Sequence, residues 1–165
     1  MIRAVKLEDA REIAEIYNYY ILNSCVTFEE LALSTEEMQV RIEAGSSKFP
    51  WLVFEKNNEI HGYAYASAWK PRSAYKHTVE STVYLKKEAT KNGIGSLLYT
   101  ALISQLTDLG FHAIIGGISL PNEASVALHE KFGFEKIAQF KEVGYKFQKW
   151  IDVGYWELLI RNKSN

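Results

Sequence analysis

The sequence predicts a mixed α/β fold, and three observations carry the prediction. Runs rich in branched and aromatic residues alternate with segments whose apolar residues recur at helical spacing, hairpin signals interrupt that alternation, and a glycine-bearing turn stands between a strand and a helix. Residues 1–161 read as one domain, since no repeat, low-complexity stretch or linker divides them, and 162–165 read as a short frayed tail. At 165 residues, with 47% hydrophobic and 13% aromatic content, such a domain can bury a core without disulfides or metals.

The elements follow in order. Residues 2–5 form a strand, and Ala10, Ile13, Ala14, Tyr17 and Ile21 then share one face of a helix. Ser34 with Glu37 three residues on makes a capping-box pattern, which opens a second helix carrying Met38 and Ile42 and stopping at Gly45. Thr27 and Phe28 fall in the loop between the helices. Strands over 51–55 and 60–68 flank Asn57-Asn58, a pair that tolerates the positive φ of a tight turn, so they form a hairpin. After a loop over 69–76, residues 78–85 form a strand. A helix opens within 91–96 and runs through Leu109, its buried face built from Leu97, Leu98, Ala101, Leu102 and Leu109, with Gly110 as its cap. A strand over 111–118, a helix over 122–132, and three short strands at 134–138, around 144–147 and at 155–160 complete the chain.

Composition narrows the function. Nineteen basic and twenty acidic side chains leave a net charge of -1, without the basic excess of a nucleic-acid binder or of a protein drawn to anionic membranes. Charged and apolar residues alternate over 1–9, unlike a secretory leader, and no apolar run approaches the ~18 residues of a membrane span. The lone Cys25 can form no intrachain disulfide, and no Cys/His cluster has zinc-ligand spacing. The expectation is a cytoplasmic protein without metal, nucleic-acid or membrane partners.

Three short stretches carry chemistry. In Lys91, Asn92, Gly93, Ile94, Gly95 and Ser96, two glycines bend the backbone ahead of a helix whose first amides lack intrahelical acceptors and can bind phosphate. The dinucleotide fingerprint requires a third glycine where Leu98 stands, and the P-loop requires Gly-Lys-Ser/Thr, so neither applies. What is left suits the pyrophosphate of coenzyme A, and equally an ordinary sharp strand-to-helix turn.

Along 78–85 the period of two places Val79, Ser81, Val83 and Leu85 on one face, with Thr78, Glu80, Thr82 and Tyr84 on the other. A glutamate enclosed there has its pKa raised by desolvation and becomes a candidate general base; a solvent-facing glutamate on a half-exposed sheet fits the pattern too. The preceding loop holds Arg72, Ser73, Ala74 and Tyr75, in which a guanidinium beside aromatic rings can clamp a carboxylate or simply be solvated. Asn122, Ser125 and His129 recur at i, i+3 and i+7, a polar stripe distinct from Ala124, Ala127, Leu128 and Phe132. His129 can contact a substrate or relay a proton, or be an ordinary exposed histidine.

Taken together, the stretches 78–84, 91–99, Leu120-Pro121-Asn122 and Leu128-His129-Glu130 resemble the phosphinothricin and methionine sulfoximine N-acetyltransferase branch of the GNAT superfamily. The likeness extends from Ile2 to about Leu158, with Trp69-Lys70, Arg72, Ala74-Tyr75, Gly144-Tyr145-Lys146, Trp150, Asp152 and Val153. It implies a GNAT fold: a mixed, strongly twisted sheet with splayed central strands, flanked by helices. It also implies direct transfer of acetyl from acetyl-CoA to the amine of a small amino-acid-like acceptor.

By resemblance, Val83, Tyr84 and Leu85 offer backbone groups to pantetheine, residues 91–96 wrap the pyrophosphate, and Asn122 lies near the thioester. Glu80 is the base, His129 the active-site histidine, and Arg72, Ser73, Ala74 and Tyr75, with Glu80, contact the acceptor. A homodimer is implied, its C-terminal strands helping to enclose the sites. The superfamily pattern has Gln or Arg where this chain has Thr90, a loss expected to be tolerated because backbone amides do most of the anion binding. Rival readings are an acetyltransferase for peptide N-termini or other amines, a non-catalytic acyl-CoA-binding module, and a protein-interaction domain.

Overall fold

A computed structural model describes residues 1–161; the expected tail at 162–165 lies outside the described residues. The described residues form a seven-stranded sheet of order β1-β2-β3-β4-β5-β7-β6. The strands are β1 (Ile2–Ala4), β2 (Trp51–Lys56), β3 (Glu59–Ala68), β4 (Thr78–Leu85), β5 (Ala113–Leu120), β6 (Glu135–Lys146) and β7 (Lys149–Leu159). The helices are α1 (Ala10–Asn23), α2 (Thr35–Ser46), α3 (Ile94–Asp108) and α4 (Glu123–Lys131). All sheet neighbours run antiparallel except β4 and β5.

Strand alternation divides two cores. Leu52, Ala64, Ala66, Val79 and Ile114 point to one face, where Leu98, Tyr99, Leu102 and Leu106 of α3 cover them. Val53, Tyr63 and Tyr84 point to the other, beneath Ile13, Ile16, Tyr17 and Ile21 of α1 and Met38 and Ile42 of α2. Each buried aliphatic side chain contributes on the order of 1.5–3 kcal/mol, so this two-sided burial positions the central strands firmly.

Local signals act as their chemistry dictates. The Ser34 hydroxyl accepts from the Glu37 amide at 3.1 Å while the Glu37 carboxylate accepts from the Ser34 amide at 2.7 Å, closing the capping box. Asn57 and Asn58 take φ of 55° and 61° in the β2–β3 turn. Gly110 follows α3 at φ 79°, while Gly45 lies within α2, which ends one residue later.

Three expectations are corrected. The strands expected at 134–138 and 144–147 are not separate: residues 135–138 and 144–146 belong to the long β6, whose register against β7 shifts between Lys136 and Ala138 and again between Phe140 and Gly144. Glu142, at φ 53°, marks the second irregularity, which breaks the two-residue period that the sequence reading relied on. The strand expected over 111–118 starts and ends two residues later, at Ala113–Leu120. In α3, Leu97 and Leu109 are exposed, and Tyr99 and Leu106 occupy the buried face instead.

Candidate active site

The site begins where two strands part. β4 and β5 pair only through Thr78 with Ala113, Val79 with Ile114 and Glu80 with Ile115. From Ser81 and Gly116 onward they diverge, while β4 stays bonded to β3 as far as Leu85 and β5 to β7 as far as Leu120. A parallel pair parting in mid-sheet leaves backbone groups that need partners, the condition for an extended ligand to be held by main-chain bonds.

Two cavities fill this gap. The larger, about 600 Å³, is lined by Val83, Tyr84 and Leu85 of β4, by Thr90, Lys91, Gly93, Gly95 and Ser96, and by Asn122, Ser125, Leu128 and Lys131. The smaller, about 200 Å³, is lined by Val26, Thr27, Glu80 through Tyr84, Tyr99, Gly117 through Ser119, Asn122, Ser125 and His129. Both are walled by β4 and by the start of α4, so they form one path from the α3 turn to Glu80.

At the wide end, Lys91 and Gly93 take φ of 64° and 77°, and α3 starts only at Ile94. The first amide bonded back is that of Leu97, to the Gly93 carbonyl at 3.1 Å. The amides of Ile94, Gly95 and Ser96 therefore lack intrahelical acceptors, and the dipole of a 15-residue helix adds positive potential. The first turn of α3 carries no acidic residue, and Lys131 reaches across from α4 to donate to the Ser96 hydroxyl at 2.9 Å. This end fits a pyrophosphate. Thr90 donates its hydroxyl to the Lys87 carbonyl at 2.9 Å, bracing the loop itself.

At the narrow end, Glu80 is half-buried, and desolvation raises its pKa against the opposing pull of the Lys70 ammonium. Its carboxylate lies over Gly117, where an added Cβ would stand 3.3 Å from Oε1 and 3.2 Å from the Tyr155 ring. Tyr155 packs edge-on against Trp69 at 5.5 Å, and the Lys70 ammonium sits 4.7 Å over the Trp69 ring. A proton acceptor of raised basicity, bordered by two aromatic rings and a cation, suits a substrate bearing both an amine and a carboxylate.

His129 is not a surface residue: it is 3% exposed and held at both ring nitrogens. Nδ1 lies 2.7 Å from the Ser125 carbonyl, which can only accept, so Nδ1 carries the proton and Nε2 accepts from the Tyr99 hydroxyl at 2.8 Å. The Tyr99 oxygen in turn accepts from the Ser81 hydroxyl at 3.1 Å. Burial holds the His129 pKa below its ordinary value, so the neutral imidazole can serve as the end of a hydrogen-bond chain that starts at the cavity wall. Asn122 caps α4 by accepting from the Ser125 amide at 3.1 Å.

The structure thus brings Glu80 and His129 to one cavity, Leu85, Lys91, Gly93, Gly95 and Ser96 to the other, and Val83, Tyr84 and Asn122 to both. Asn92 lies between Lys91 and Gly93, and Ile94 is buried at the base of α3. Arg72, Ser73, Ala74 and Tyr75 instead form an exposed turn leading towards β4 and line neither cavity. Residues beyond the sequence reading are Lys70, Tyr155, Tyr99, Lys131 and the wall Val26-Thr27. Lys70 lies two residues before Arg72 in the same aromatic loop, and Tyr99 ends the stretch 91–99 that carries the family resemblance, so both are within reach of the sequence. Among the described residues no group of three or more His, Cys, Asp or Glu side chains is placed to hold a metal, and no helix is long and apolar enough to cross a membrane.

A mixed sheet with a splayed parallel pair, an amide-lined turn at one end and a carboxylate at the other defines an acyl-CoA-dependent acyltransferase. The acetyltransferase (GNAT) domain model matches residues 2–154, and the chain belongs to that family. The phosphinothricin N-acetyltransferase of Streptomyces viridochromogenes is 38% identical over 156 residues, covering 94% of this chain and 85% of that protein. The L-methionine sulfoximine/L-methionine sulfone acetyltransferase of Salmonella typhimurium is 32% identical over 158 residues, covering 95% and 92%. A GNAT superfamily phosphinothricin acetyltransferase from Sinorhizobium meliloti, solved in complex with acetyl-CoA, superposes with a TM-score of 0.94 at 35% identity, covering 97% of this chain and 88% of that one.

Proposed function

We propose that this chain transfers the acetyl group of acetyl-CoA to the amine of a small amino-acid-like acceptor of the phosphinothricin and methionine sulfoximine or sulfone type. The observation that carries the reading is Glu80, held half-buried with raised basicity where the splayed strands part. The relatives named for these activities align over nearly the whole chain.

Acetyl-CoA supplies an activated acetyl thioester; Val83, Tyr84, Leu85, Asn122 and the turn 91–96 hold it. Glu80 takes the proton of the acceptor ammonium, directly or through water, so that the free amine can attack the thioester carbonyl carbon; a C–N bond replaces the C–S bond, and coenzyme A leaves as its thiol. Lys70 attracts the acceptor carboxylate, the exposed turn of Arg72, Ser73, Ala74 and Tyr75 meets the acceptor outside the two cavities, and the Ser81–Tyr99–His129 chain fixes the far side of the smaller one. No acyl-enzyme is needed, since Cys25 lines neither cavity.

A single domain over residues 1–161, a cytoplasmic location and a homodimer are parts of the same proposal. The exposed Phe140, Val143, Tyr145 and Trp150 of β6 and β7, with Phe147 in the turn between them, support the dimer, since exposed apolar side chains of this kind are what subunits cover.

The deciding experiment is a thiol-release assay with acetyl-CoA against phosphinothricin, methionine sulfoximine, methionine sulfone, ordinary amino acids, polyamines and short peptides. Turnover of the amino-acid analogues is expected; turnover confined to peptides or polyamines overturns the acceptor class, and coenzyme binding without any turnover overturns the enzyme. In the same assay Thr90→Gln is expected to leave the KM for acetyl-CoA near the wild-type value, because backbone amides and Lys131 carry the anion contact. A marked fall in KM would show that the loop needs the missing side chain.

A further inference from the structure

Among the described residues, one cation has no part in the chemistry above and is nevertheless enclosed. Lys146, at the end of β6, is 2% exposed, and its ammonium donates to the Thr27 carbonyl at 2.8 Å. Lysine is rarely buried without a specific partner, because its charge loses hydration. Here the partner is main chain, in the α1–α2 loop that walls the acceptor cavity through Val26 and Thr27.

The contact is one of several that hold this loop, but it differs in where it leads. Tyr17 bonds the Thr27 hydroxyl at 2.8 Å, Asn18 bonds Leu33 at both its amide and its carbonyl, and Arg41 pairs with Glu29. Those ties all run back to α1 and α2. Among the described residues, Lys146 to Thr27 is the hydrogen bond that crosses from the loop to the C-terminal strands. A second contact reinforces it: the Phe28 ring lies so close over Gly144 that an added Cβ would meet it at 2.3 Å.

The far wall of the cavity is tied to the same strands. Gly117, Ile118 and Ser119 pair with Tyr155, Gly154 and Val153 of β7, and β7 pairs with β6 up to Lys146 and Lys149. A continuous hydrogen-bonded path therefore runs from Thr27 through Lys146, β6 and β7 to Gly117–Ser119, joining two walls of the cavity.

We propose that Lys146 is a positioning residue for the acceptor: its ammonium, seated on the Thr27 carbonyl, holds the α1–α2 loop against β6–β7 and so sets the width of the opening beside Glu80. The inference rests on the acetyltransferase reading for its kinetic consequence, but not for its structural one. Val26 lines both cavities, but Thr27 lines the smaller one alone and the coenzyme turn at 91–96 lies outside this path, so the acceptor is the substrate that responds.

Lys146→Met keeps the unbranched stem and removes the donor. The expected result is a KM for the acceptor raised roughly tenfold, the scale of a lost charge-assisted hydrogen bond. The dissociation constant of acetyl-CoA, read by calorimetry, stays at the wild-type value. Amide exchange accelerates over residues 24–29 and not in α1 or α3. Wild-type acceptor KM with wild-type exchange overturns the proposal, and so does equal weakening of both substrates, which marks general loosening. If the wild-type protein turns over none of the acceptors, the function reading fails and loop exchange alone decides: confined acceleration supports the clamp, its absence overturns it. Should Lys146→Met not fold, Phe28→Ala removes the ring from Gly144, leaves the ammonium in place and is read in the same way.

Discussion

Glu80→Gln is expected to lower kcat by about two to four orders of magnitude, the range of a positioned general base, while leaving acetyl-CoA binding at the wild-type level. Gln keeps the size of the side chain and one acceptor oxygen, so the cavity is not reshaped. What is lost is the ability to take a proton from the acceptor ammonium. Wild-type kcat/KM should rise with pH through a carboxyl pKa above the ordinary glutamate value of 4.5, because desolvation raises Glu80 more than Lys70 lowers it. In Glu80→Gln that rise should vanish, leaving only the titration of the acceptor amine. Retention of most of the wild-type rate would remove Glu80 from the chemistry.

Stability should move the opposite way. A carboxyl whose folded pKa lies above its unfolded value binds protons more tightly when folded, so its contribution is complete below the unfolded value and is lost as pH rises through the folded one. At neutral pH the ionised Glu80 opposes folding. The Gln variant should therefore melt above the wild type at pH 7, and the gap should close near pH 4.5, the ordinary value. A less active but more stable variant would identify Glu80 as a group placed for reaction at a cost to the fold. Melting curves across this range check it.

How far the sequence foretells this site depends on whether a residue's environment is set locally. The capping box at Ser34 and Glu37, the Asn57-Asn58 turn and the whole of β4 are legible because their determinants lie within a few residues. The carboxylate on β4 and the glycine turn before α3 were legible for the same reason. α4 was harder to read. Its polar stripe faces inward to the cavity, His129 is buried, and Ala124 and Ala127 line the coenzyme cavity, because the helix sits over the splayed strands and not over a closed sheet. No hydrophobic period encodes a parting of two strands that lie far apart in sequence. β6 is hidden for a related reason: its bulges are specified by pairing with β7, and they erase the alternation that marks a strand.

Gly116→Ala is expected to destabilise the fold by about 2–5 kcal/mol, combining overpacking with loss of a buried hydrogen-bond network. For a protein of this size that corresponds to a fall in Tm of roughly 5–15 °C. An added Cβ would stand 2.4 Å from His129 Nε2 and 2.5 Å from Cδ2, closer than atoms can approach. The ring cannot swing aside, because Ser125 and Tyr99 hold its two nitrogens and Phe134 meets it edge-on at 5.0 Å. Either β5 or α4 must retreat. If α4 retreats, Tyr99 loses its acceptor on His129, and Asn122 shifts with the helix it caps, so activity falls together with stability. Thermal melts and acceptor kinetics on the same variant test both halves. A wild-type Tm would show that the ring has room to move, and the Ser81–Tyr99–His129 chain would then lose its standing as a rigid wall of the cavity. Gly116 is the position at which a glycine, by lacking a side chain, lets a buried histidine reach the point where the strands part.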